Sequence, residues 1–187
     1  MVLKYINKAH IKKKFMITKL LVIDFDGTIC DSPHPEKGKD MWKKYYNKEY
    51  PHIGWWSKPE SLDLNVFDIK CFNSMVQFIN KFGSDTYKMI LTSRMSKLHD
   101  SVKAVLDHNN IYVDEINLKD GRGDKGVRLN NVLKRFPDLK EIYCFDDNIE
   151  DINAYMRLKN ELNSQYVFHI YSLNRGNMIQ LTESNLI

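Results

Sequence analysis

Leu20-Leu21-Val22-Ile23 is an unbroken apolar run that ends abruptly in Asp24-Phe25-Asp26-Gly27-Thr28. A strand wetted on one face alternates apolar and polar residues, so a continuous run reads as a strand covered on both faces, as in a parallel sheet between helix layers. The texture recurs in Tyr87-Lys88-Met89-Ile90-Leu91, which enters Thr92-Ser93-Arg94, and in Glu141 to Phe145, which enters Asp146-Asp147. Tyr112 to Leu118 and Gln165 to Tyr171 read as two further strands. Between them, helical spacing spans Phe67 to Phe82 (stopped by Gly83), Val102 to about His108, Lys125 to about Phe136 (closed by Pro137) and about Glu150 to Glu161. Alternating strand and helix predicts an α/β fold, a doubly wound, Rossmann-like parallel sheet.

Length sets the scale. A chain of 187 residues makes about one domain and buries roughly 70% of its unfolded surface, so its core needs no disulfide or structural metal. With 43% hydrophobic and 28% charged residues it is neither disordered nor fibrous. No apolar run exceeds the one at Leu20, far short of the roughly 18 to 20 residues of a membrane span. Lys4, Lys8, Lys12, Lys13, Lys14 and Lys19 make residues 1–19 a basic arm without acids, and residues 20–187 are then close to neutral. That arm lacks the apolar stretch of a signal peptide. Cys30, Cys71 and Cys144 are odd in number and form no C-x-x-C pair, which reads as reduced thiols of an intracellular, cytoplasmic protein. From about residue 30 to 64 prolines and aromatics interrupt the pattern, predicting an insertion of loops with one helix at Asp40 to Lys48.

Ligands of such sheets sit outside the carboxyl ends of the strands, where the polar clusters fall. Residues i and i+2 of extended chain point the same way, so Asp24 and Asp26 face one pocket. Gly27 lets backbone approach a ligand.

Asp24-Phe25-Asp26-Gly27-Thr28, Thr92, Lys125 with Leu129 four residues on, and Asp146-Asp147 resemble, in order, the four motifs of the haloacid dehalogenase (HAD) superfamily. The resemblance runs from about Leu20 to Tyr171. It implies a HAD-type sheet with a small cap insertion and a phosphatase in which Asp24 is the nucleophile, forming an aspartyl-phosphate. Asp26 protonates the leaving oxygen and then activates water. Thr92 binds a phosphoryl oxygen and Lys125 neutralises the anions; Lys119 is the weaker candidate for that lysine. Mg2+ is held by Asp24, the Asp26 carbonyl and an acid of the Asp146-Asp147 pair, with Asp147 favoured because Asp147-Asn148-Ile149-Glu150-Asp151 fits the D-x-x-x-D form. An acid at position 26 favours phosphomonoester hydrolysis over dehalogenation.

Thr92-Ser93-Arg94 is similar to the Thr/Ser-Gly-Arg of polynucleotide phosphatases in this superfamily, which implies substrate contacts from Gly27, Thr28, Ser93 and a phosphate-binding Arg94. Pro33-His34-Pro35, Trp42 and Gly54-Trp55-Trp56-Ser57-Lys58-Pro59 resemble the HAD domain of the Swiss army knife RNA repair proteins. There Trp55 and Trp56 either pack the insertion onto the core or form a base-stacking wall. The expected substrate is accordingly a phosphorylated RNA or DNA end. A small-molecule or nucleotide phosphatase is the alternative, and a non-catalytic HAD-fold binding module a third reading. His34, His52 and His99 read as surface residues.

Overall fold

A computed structural model describes residues 16–121 and 123–182. The lysines of the basic arm up to Lys14, like Arg122, lie outside the described residues. Five strands run parallel: β1 (Lys19–Ile23), β2 (Thr86–Met95), β3 (Glu115–Lys119), β4 (Glu141–Asp146) and β5 (Val167–Asn174). A sixth, β6 (Asn177–Leu181), returns antiparallel along β5. The sheet order is β3-β2-β1-β4-β5-β6, which puts β1 at the centre. Its apolar run is there because both faces are covered: Leu20 and Val22 pack on one side, Leu21 and Ile23 on the other.

Two helices cover the first side. α4 (Lys125–Leu133) contributes Leu129, Val132 and Leu133, and α5 (Ile149–Glu161) contributes Ile152, Tyr155 and Leu158. Both are started by side chains that accept otherwise unpaired N–H groups. Asp124 takes Val127 N–H at 2.9 Å, and Asn148 takes Glu150 N–H at 2.8 Å. On the second side lie α2 (Asn73–Ile79) and α3 (His99–His108), together with residues of the insertion. The α/β sheet with helices on both faces matches the sequence reading, and β6 adds to it. Arg175 and Gly176 both take positive φ, the two-residue turn that folds a chain straight back on itself.

The insertion is more ordered than its prolines suggest. Its helix α1 is Pro35–Tyr46 rather than Asp40 to Lys48, because Pro35 occupies the first turn, where no amide hydrogen is needed. α2 is shorter than expected and ends before Gly83. Trp42 and Trp55 are buried in the core beside Phe67, and Gly38 is essential to that packing: a Cβ there would lie 2.2 Å from Trp55 Cζ2. Entry and exit of the insertion meet at an antiparallel bridge between Cys30 and Cys71, flanked by Asp31 N–H to Lys70 O and Phe72 N–H to Ile29 O, each 2.9 Å. Cys144 is free and buried, while Cys30 and Cys71 lie side by side across this bridge. They are 41 residues apart in sequence, and only the fold makes them neighbours. Among the described residues no helix is long and apolar enough to cross a membrane.

Candidate active site

β1 delivers Asp24 to the carboxyl edge of the sheet, where its N–H bonds Phe145 O of the neighbouring strand at 2.9 Å. The chain then turns tightly, with Ile29 and Cys30 N–H both on Phe25 O. The turn presents the Asp26 carboxylate on the same side as Asp24. β4 ends one strand over and supplies Asp146 and Asp147. α4 begins at Lys125, so its side chain reaches back under the strand ends.

Lys125 is the hub. Its buried Nζ lies 2.6 Å from Asp24 Oδ1, 2.8 Å from Asp146 Oδ2 and 3.0 Å from Asp151 Oδ2. Burial alone would favour loss of its proton, but the three carboxylates outweigh that and push its pKa up. Burial also pushes Asp24 well above the usual carboxylate range, with Asp146 and Asp26 adding repulsion and Lys125 opposing them. Asp146 is raised to about 6, again by burial against the pull of Lys125. Its oxygens are taken up by Lys125, Asn148 N–H at 3.0 Å and Tyr155 OH at 3.2 Å. Such crowding of acids around one cation favours the approach of a further positive charge.

Asp24, Asp146 and Asp147 offer carboxylate oxygens that all lie within 4.8 Å of one another. An all-oxygen donor set of this kind suits a hard divalent cation such as Mg2+. The backbone brings Asp147 into this group: Gly27 has φ +72°, and a Cβ there would sit 2.2 Å from Asp147 Oδ2. Only glycine lets Asp147 come that close to the turn after Asp26. Thr28 Oγ1 is 3.4 Å from Asp147 Oδ1, so Thr28 is turned toward this acid and away from the cleft.

These groups open into a cleft of about 540 Å3, lined also by Ser32, His34, Trp56, Thr92, Ser93 and Arg94. Thr92 and Ser93 are inside β2, with Thr92 buried and Ser93 exposed, as strand alternation requires. Arg128 donates to Thr92 O at 2.9 Å and to Asn117 O at 2.7 Å, tying β2 to β3. Lys119, the alternative lysine, is exposed at the end of β3 and does not line the cleft.

The two adjacent tryptophans part company. Trp55 is 3% exposed, donates to Pro33 O at 2.8 Å and does not reach the cleft; Trp56 is 39% exposed and lines it. Trp55 therefore has no place on a base-stacking wall, because consecutive side chains in this turn point to opposite sides. His34, read as a surface residue, stands edge-on to Trp56 with ring centroids 6.4 Å apart. Arg94, given to a substrate phosphate by the sequence, directs its guanidinium at Asp26: Nε to Oδ2 at 2.7 Å and Nη2 to Oδ1 at 2.8 Å. Its Nη1 donates to Ser61 Oγ at 2.7 Å and Trp56 O at 3.1 Å. Ser32 Oγ donates to Asp26 Oδ1. Ser32 and Ser61 have no signature in the sequence, since their partners, Asp26 and Arg94, are brought to them only by the fold.

No protein-family model matches the chain. The uncharacterized protein YMR265C of Saccharomyces cerevisiae is 25% identical over 74% of this chain, which spans only 36% of the yeast protein's length. Among solved structures, the HAD domain of the Legionella pneumophila effector protein Lem4 superposes with a TM-score of 0.52 at 15% identity, covering 88% of this chain and 90% of that domain. The haloacid dehalogenase-like family protein SP0104 of Streptococcus pneumoniae gives 0.50 at 14% identity, covering 82% and 93%. At these identities the likeness is one of fold. The chain has the fold of a HAD domain, and the four motif positions of that resemblance converge on its cleft.

Proposed function

We propose that the protein is a phosphomonoester hydrolase of the HAD type, a reading in keeping with the name hydrolase borne by SP0104. The observation that carries it is the buried Asp24 carboxylate at the floor of an open cleft, bound to Lys125 at 2.6 Å, with Asp26 facing the same space two residues later. Asp24 attacks phosphorus and breaks the bond to the leaving oxygen, which takes its proton from Asp26. Water then attacks the aspartyl-phosphate and gives its proton back to Asp26, and inorganic phosphate leaves. Thr92 and the backbone beyond Gly27 hold the phosphoryl oxygens. Asp24, the Asp26 carbonyl and Asp147 would hold Mg2+, Asp147 being less committed to other partners than Asp146. Bound there, the cation offsets the repulsion between carboxylate and phosphate.

The substrate we favour is a phosphorylated RNA or DNA end. Trp56 supports this, since an indole on the rim can stack on any base, and Ser93 stands exposed in the same cleft. The alternative, a mononucleotide or small sugar phosphate, is favoured by the modest 540 Å3 of the cleft. The deciding experiment is phosphate release from 3′- and 5′-phosphorylated oligonucleotides, mononucleotides and sugar phosphates, each with Mg2+ and with excess chelator. Oligonucleotides should be the best substrates and chelator should abolish release. Full activity in chelator, or no release from any member, would overturn the reading.

A further inference from the structure

Arg94 is 3% exposed, and four of its five N–H groups are already donated within the protein. That leaves little with which to grip a substrate phosphate in the forked manner that makes arginine useful there. What the fork grips is Asp26, edge to edge, at 2.7 and 2.8 Å. The other arm of the same guanidinium holds Ser61 Oγ and Trp56 O, both belonging to the insertion. The centroids of the Trp56 and Phe25 rings lie 5.4 and 5.7 Å from the Arg94 guanidinium carbon.

We infer that Arg94 is a positioning residue that locks the orientation of Asp26 and couples it to the insertion, rather than a ligand of the substrate. The inference rests on Asp26 being the acid–base group of the proposed reaction. A carboxylate offers about four lone-pair sites. Arg94 occupies one on each oxygen and Ser32 takes a second on Oδ1, so one site remains free, on Oδ2. The proton passed to the leaving oxygen, and later recovered from water, therefore travels on Oδ2. Arg94 and Ser32 together decide which way that oxygen faces. The insertion in turn decides where Arg94 sits, so a change at Ser61 is felt at Asp26 without touching the substrate.

The test uses the full chain, with two phosphomonoesters of unlike leaving groups. β-Glycerophosphate expels an alkoxide and needs the proton; p-nitrophenyl phosphate expels a stable phenolate and hardly does. Asp26→Asn should lower kcat on the alkyl ester by roughly 10²–10⁴-fold and on the aryl ester far less. Arg94→Ala should reproduce that gradient, losing roughly 10- to 100-fold on the alkyl ester and about threefold or less on the aryl ester, with KM almost unmoved. Arg94→Lys should restore part of the loss. In the Asp26→Asn background, removing Arg94 should cost nothing further, because it acts through that carboxylate. Ser61→Ala keeps the ion pair and so folds readily, and it should show the same gradient at about threefold or less. A raised KM with equal losses on both esters, or additive losses in the double variant, would return Arg94 to the substrate phosphate and overturn the inference. If Asp26→Asn itself shows no gradient, the reading of the reaction fails first.

Discussion

On the sheet side of the cleft, Asp24, Asp146 and Asp151 close on Lys125 at 2.6 to 3.0 Å, and every position is set by the end of a strand or the start of a helix. On the insertion side, His34 and Trp56 form an aromatic rim carried by a segment with one α-helix and one short 3-10 helix, mounted on the core through Trp42, Trp55 and the anchors of Arg94. The first wall is electrostatic and intolerant, since three carboxylates there share a single lysine. The second is held by packing, so its rim can change chemistry while its buried root cannot. On the proposed function, reaction type would belong to the first wall and choice of substrate to the second.

That division can be broken at either wall. The largest effect is expected from Asp24→Asn, which keeps the volume but removes the nucleophilic oxygen: kcat should fall by at least roughly 10⁴-fold with the thermal midpoint nearly unchanged. Wild-type turnover in this variant would end the assignment. Lys125→Met strands three carboxylates and should cost about 3–5 kcal/mol in urea unfolding, together with activity. Trp55→Ala should cost a similar ~3–5 kcal/mol by emptying the root of the insertion. Its neighbour gives the contrast, since Trp56→Ala should move stability by no more than about 0.5 kcal/mol while weakening oligonucleotide binding by ~1–3 kcal/mol. Equal effects of the two changes on unfolding would refute the root-and-rim picture. The smallest effect concerns how Lys125 is presented. Asp124 caps α4, and its bonds to Val127 N–H and Arg157 hold its carboxyl below the usual range. A lowered folded pKa means the cap stabilises above the ordinary aspartate range and is lost as pH falls through the folded value. Asp124→Ala should thus cost ~1 kcal/mol near neutrality and nothing in strong acid, as urea titrations at two pH values would show.

Much of the sheet was legible because β1, β2 and β4 are apolar on both faces, a pattern that owes nothing to distant residues. The charged groups of the site were legible for a related reason: they sit directly at the ends of those strands, where chain direction fixes their placing. β6 escaped notice because its residues are mostly exposed and half-exposed, and its turn uses an unremarkable Arg175 before Gly176. α1 was shortened by reading Pro35 as a breaker when it is a starter. The different fates of Trp55 and Trp56, the pairing of Arg94 with Asp26 and the meeting of Cys30 with Cys71 depend on contacts across 22 to 68 positions of sequence, which no local pattern encodes.

The bridge between Cys30 and Cys71 makes the insertion a closed loop whose two ends leave the core at Cα atoms 4.0 Å apart. The two ends are 41 residues apart in sequence. Because the ends coincide, a segment of different length can be joined at this neck without altering the order or register of any strand, provided it rebuilds both the buried packing of Trp42 and Trp55 and the route from Asp26 through Arg94.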